Sequence, residues 1–170
     1  MSDTNDGQQS SLVVRVMHVW SARIAAVVLA PALLLIAVDQ LTKSWALSVL
    51  DDGPNMLFGD VGFRLAFNRG AAFSTGSGAT SLLTAISLIA LVILTVAAGL
   101  TVRRLTRVGV MLVFAGAAGN VVDRLFRGHD GAVVDFLDVG FWPIFNVADV
   151  CIVCGCGLLM WSSLRSGKHV

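Results

Sequence analysis

The sequence predicts an all-α integral membrane protein, with four transmembrane helices and a small β element on the outer membrane face. Three observations predict it. Of the 170 residues, 56% are hydrophobic and 14% charged, with a mean hydropathy of +0.81; a soluble domain carries roughly 25% charged residues. Apolar runs long enough to cross a hydrocarbon core recur four times. Between the first two, Phe63, Leu65 and Phe67 alternate with Gly62, Arg64 and Ala66, which is the period of a strand.

Residues 1–22 read as a polar, disordered, cytoplasmic tail, and residues 23–170 as one four-helix membrane domain. A cleaved secretory signal fits poorly: the apolar core from Ile24 to Val38 starts late and runs into Asp39 and Lys43. The first span is expected at Ile24 to Leu50, interrupted by Asp39-Gln40-Leu41-Thr42-Lys43. The second, Leu82 to Val102, carries no charge. The third starts at Val108 and meets Asn120, Asp123 and Arg124; the fourth runs from Trp142 to Leu164, with Asn146 and Asp149 near its start. Arg15, Arg23, Arg103, Arg104, Arg107, Arg165 and Lys168 fall on one side of these spans. Only Arg64, Arg69, Arg124 and Arg127 fall on the other. The excess of positive charge places both termini in the cytoplasm.

Depth then becomes readable. Asp39, Asp123 and Asp149 each lie about 23 Å from the cytoplasmic end of their span at 1.5 Å per residue. In a core of about 30 Å, three helices are therefore interrupted at one level, near the outer face. Charge in a span is costly and marks function. Between the first two spans, Asp51-Asp52-Gly53-Pro54-Asn55 signals a turn. Thr75-Gly76-Ser77-Gly78 lacks the ending of a phosphate loop and reads as a flexible connector.

Asp39 and Lys43 are four apart on a helix and form an ion pair; Asp123 with Arg127, and Asn120 with Arg124, have the same spacing. Asp135 and Asp149 are left without a local partner, while Asp138 is expected to meet water. Two carboxylates at low dielectric share one proton. The ionised member takes a proton from water and the protonated one polarises an amide, which is the logic of an aspartic protease. The structural alternative is that both acids pair with Arg124 or Arg127 and hold loops. Cys151, Cys154 and Cys156 lack a fourth ligand and read as packing residues rather than a metal site. His129 reads as an exposed loop residue. Trp45, Trp142 and Trp161 read as interface anchors. Gly116, Gly119, Gly155 and Gly157 read as points of close helix approach. No basic cluster points to nucleic acid.

The set Asp39-x-x-Thr42-Lys43, Asn68-x-Gly70-Ala71-Ala72-Phe73-Ser74, Gly119-Asn120-x-x-Asp123-Arg124, Val134-Asp135-Phe136 and Phe145-Asn146-x-Ala148-Asp149 resembles the lipoprotein signal peptidases, or signal peptidase II, in the family's order. The resemblance implies an aspartic endopeptidase of the bacterial plasma (inner) membrane. Such enzymes cut the signal peptide from prolipoproteins just before a diacylglyceryl-modified cysteine. It implies Asp135 and Asp149 as the catalytic pair. Asp39, Lys43, Asn68, Gly70, Asn120, Asp123, Arg124 and Asn146 would bind substrate or support the site. It further implies no cofactor and no metal, contact with membrane lipids, a monomer, and sensitivity to globomycin-type cyclic peptides. Asp149 lies fourteen positions after Asp135, a short interval that implies a trimmed outer loop. The rival from another class is a small proton-coupled transporter or channel subunit. It would place its charges at the midplane, often within internal repeats, and neither is visible here.

Overall fold

The computed structural model describes residues 29–70, 77–101 and 103–166. The expected tail (1–22), the start of the first span, and Ala71 to Gly76 lie outside the described residues. The elements are α1 (Ala30–Val49), β1 (Asn55–Phe58), β2 (Val61–Asn68), α2 (Ser77–Leu100), α3 (Arg104–Phe126), β3 (Val133–Asp138) and α4 (Val147–Ser166). All four helices are long and apolar enough to cross a membrane.

Burial is inverted relative to a water-soluble bundle. Leu34, Ile89, Val92, Val153 and Leu164 are each more than 60% exposed, whereas the largest fully buried side chains are Lys43, Val134, Asn146, Asp39, Asp123 and Asp135. Lipid covers the first set as readily as protein would. The second set is tolerable only if its members satisfy one another.

Helix α3 is the centre, packed against α1, α2 and α4. Its seam with α4 is built on glycine. A Cβ on Gly116 would strike the Ala148 carbonyl and Ile152, and one on Gly155 would lie 2.7 Å from Val113. Gly157, expected in the same role, has nothing within 4 Å of its Cβ position among the described residues.

The expected β element is an antiparallel sheet of order β1-β2-β3. Its third strand, Val133–Asp138, shows no period-two pattern in the sequence, because its first four residues are all buried. Pairing of Ala66 with Asp135 and of Phe67 with Val134 fixes the register. Phe136 packs with Ala46 and Leu50, backed by Phe63, Leu65 and Val147. Trp45 meets Phe63 and Phe136 edge-on at 5.1 and 6.2 Å. This apolar plug seats the sheet on α1.

Three helix ends move from their expected positions. Ser77 and Gly78, read as connector, belong to α2, and α3 begins at Arg104. Helix α4 starts at Val147 rather than Trp142. Pro143 disfavours helix in the residue before it, and Phe145 is held in a β-bridge to Leu137.

Candidate active site

The start of α4 is a reciprocal cap. Asn146 Oδ1 accepts the Asp149 N–H at 2.9 Å, and Asp149 Oδ2 accepts the Asn146 N–H at 3.1 Å. This is the capping-box arrangement with an acid at the third helical position. It places the Asp149 carboxylate at the positive end of the helix dipole. Its other oxygen, Oδ1, accepts Asn120 Nδ2 at 3.0 Å.

Asp135 projects from β3 and is 2% exposed. Asn146 Nδ2 donates to its Oδ1 at 2.6 Å, and the Asn68 side chain bonds it as well. One amide, Asn146, thus touches both acids: its nitrogen holds Asp135 and its oxygen the Asp149 backbone. Asn68 is oriented in turn by the Gly70 N–H, which donates to Asn68 Oδ1 at 2.8 Å. Gly70 has φ +98°, and a Cβ there would strike Leu83. Burial first, and then the nearby Asp149 charge, push the Asp135 carboxyl up to about 6; bonds from Asn68 and Asn146 pull the other way.

Behind the two acids lies a buried ionic cluster. Lys43 Nζ contacts Asp39 Oδ2 and Asp123 Oδ2, both at 2.9 Å, and donates to Asn120 Oδ1 at 3.0 Å. Asp123 Oδ1 also accepts Arg127 Nε at 2.9 Å. The equal depth read from the sequence is therefore real contact: Asp39 and Asp123 share one ammonium, and Asn120 links it to Asp149. Arg124 does not bond Asn120 as the spacing predicted. Its charge faces Asp149, Asp123 and Asp135, and its buried Nε has no hydrogen-bond partner among the described residues.

Three expectations fail on packing. Asp138 does not meet water: it is 6% exposed, paired with Arg64 Nε at 3.0 Å, and accepts the Gly140 N–H. His129 is half-buried against the Phe67 ring, with centroids 4.6 Å apart. The cysteines do not behave alike, since Cys151 is buried while Cys154 and Cys156 are exposed.

Gln40 was missed. Its Nε2 donates to Asp39, Asp123 and the Gly119 carbonyl at 3.1–3.2 Å, and its Oε1 accepts Arg127 Nη2 at 2.6 Å. An amide beside Asp39 inside an apolar span was the available signal.

Next to Asp149 lies an apolar cavity of about 340 Å³, walled by Val139, Phe141, Trp142, Phe145, Val150, Val153 and Cys154. Among the described residues, Asp149 is the one charged group on its wall. One asparagine thus brings two carboxyl-bearing residues together, with an apolar surface alongside Asp149.

Residues 31–165 match the family described as Signal peptidase (SPase) II. A lipoprotein signal peptidase of Rhodococcus jostii (strain RHA1) is 48% identical over 131 residues, 74% of this chain and 66% of that protein. One of Mycobacterium avium (strain 104) is 41% identical over 151 residues, 80% of this chain and 78% of that protein. A bacterial membrane enzyme structure solved by the in meso method at 2.3 Å superposes with a TM-score of 0.71 at 28% identity, covering 81% of this chain and 87% of the other. That family match spans all four helices and the sheet between them, and the chain belongs to the signal peptidase II family.

Proposed function

We propose that this chain is an intramembrane aspartic endopeptidase. It removes the signal peptide from diacylglyceryl-modified prolipoproteins and cuts before the lipidated cysteine. The observation that carries the reading is the pair Asp135–Asp149, held by one asparagine from opposite sides. Asp135, the buried member, keeps the proton and donates it to the scissile amide. Asp149, at the helix N-terminus, accepts a proton from water. The water oxygen bonds to the scissile carbonyl carbon, the C–N bond breaks, and the cysteine nitrogen leaves with the donated proton. The apolar cavity beside Asp149 supports a lipid-anchored substrate. The distribution of basic residues supports cytoplasmic termini and an active site near the outer face of the plasma membrane.

The pH dependence has a definite sign. A carboxyl raised to about 6 is neutral below that pH and ionised above it. The single shared proton is therefore lost as pH rises through about 6, and kcat/KM falls towards tenfold per unit on that limb. A rate that climbs steadily through that range contradicts a protonated Asp135.

Arg124→Ala is expected to leave the fold intact and to raise KM about tenfold, as for loss of a charge-assisted bond. Normal turnover at every substrate concentration contradicts a role for Arg124 in holding substrate.

The test of the function is cleavage of a diacylglyceryl-modified prolipoprotein in liposomes beside the same substrate with its cysteine replaced by serine. Cleavage of the lipidated form alone is the expected result. Equal cleavage of both, or of neither, overturns the assignment.

A further inference from the structure

We infer that Lys43 is a positioning residue whose three ammonium bonds set the placement of both proposed catalytic aspartates through Asp39, Asp123 and Asn120, without touching substrate. The inference rests on the Asp135–Asp149 reading above.

An ammonium group has three donors. Those of Lys43 meet Asp39 Oδ2, Asp123 Oδ2 and Asn120 Oδ1 at 2.9–3.0 Å, and the side chain is 0% exposed. No donor is left for a ligand. A bare ion pair would need only one of these acids.

Each partner then passes the constraint on. Asp39 Oδ1 accepts the N–H of Ala148 at 2.9 Å, and Asp123 Oδ2 accepts the N–H of Val134 at 3.0 Å. Ala148 immediately precedes Asp149, and Val134 immediately precedes Asp135. The backbone is therefore pinned one residue before each acid by a carboxylate of the same cluster. The third bond fixes polarity. Lysine only donates, so Asn120 must turn its oxygen to Lys43 and its Nδ2 to Asp149. Gly119 lets Asp39 lie against α3, since a Cβ there would sit 2.7 Å from Asp39 Oδ2. One lysine on α1 thus sets the separation of two acids carried on β3 and α4.

The test uses the full chain in detergent. It measures kcat and KM on lipidated prolipoprotein, with amide hydrogen exchange resolved at Val134 and Ala148. For Lys43→Met, kcat is expected to fall about 100-fold, the scale of a misplacement near 1 Å, with KM changed less than about threefold by the same argument. Exchange at Val134 and Ala148 accelerates while the amides of α2 keep their rates. Unchanged kcat, a loss confined to KM, or a uniform rise in exchange overturns the proposal.

If Lys43→Met does not fold, Asp39→Asn and Asp39→Leu decide. Asparagine keeps an Oδ1 acceptor for Ala148, so Asp39→Leu should lose about tenfold more kcat and exchange faster at Ala148. Equal kcat and equal exchange in the two overturn it. Absence of cleavage by the wild type overturns the peptidase reading instead. The exchange pattern still decides the clamp.

Discussion

Asp149→Asn and Asp135→Asn each lower kcat by about 10³-fold or more while the protein stays folded, the scale of losing a positioned acid or base. The two fail for different reasons. Asp149 accepts the Asn146 N–H on one oxygen and Asn120 Nδ2 on the other. An amide in its place has one oxygen, so it keeps one of these bonds and turns an N–H₂ towards the other donor. It also lacks the basicity to take a proton from water. Asp135 accepts Asn146 Nδ2 at 2.6 Å. An asparagine there can keep that bond through its oxygen, but it has no acidic proton to give. The Asn68 side chain bonds Asp135 as well, so Asp135→Asn disturbs the fold about as much as Asp149→Asn and is an equally severe change to the chemistry. Single-turnover cleavage, read beside thermal unfolding of each variant, checks both statements.

Gly116→Leu is expected to lower the stability of the folded protein strongly. The Gly116 Cα faces the Ala148 carbonyl, and an added Cβ would also lie 2.7 Å from Ile152 Cγ1. The carbonyl is backbone and cannot rotate away. Helices α3 and α4 must then separate at the level of Asp149. Overpacking in a tight seam costs about 1–3 kcal/mol, occasionally more, and here it would also break the Asn120–Asp149 bond across the seam. Gly157→Ala is the matched control: with open space around it, a shift within about 0.5 kcal/mol is expected. Thermal unfolding in detergent compares them. Similar midpoints for the two variants would show that the α3–α4 seam yields more easily than its geometry implies.

The spans, strand β2 and the acids inside the apolar runs were legible because each leaves a local trace. Apolar length marks a span, alternation marks β2, and an aspartate inside an apolar run is costly enough to be noticed. Counting residues to Asp39, Asp123 and Asp149 placed them at one level, and Lys43 joins the first two. What the sequence hid depends on pairing at a distance. Strand β3 is buried on both faces, so it shows no alternation. The start of α4 is set by the Phe145 bridge to Leu137 and by the Asn146 cap rather than by hydropathy. Asp138 looked solvated because its partner, Arg64, is far away in sequence. Asn120 was assigned to Arg124 by helical spacing, yet it turns to Lys43 and Asp149 on other helices. The dual role of Asn146, and the use of Gln40 as a bridge between two acids and an arginine, exist only in three dimensions.

The most direct measurement is the intact mass of the product when purified enzyme meets a diacylglyceryl-modified prolipoprotein in the presence of a chelator. It compares the wild type with folded Asp135→Asn and Asp149→Asn. The account predicts a wild-type product beginning at the lipidated cysteine, formed at an unchanged rate with chelator, and no product from either variant. Near-normal product from either variant would show that residue to be structural, and no product from the wild type would contradict the two-aspartate peptidase itself.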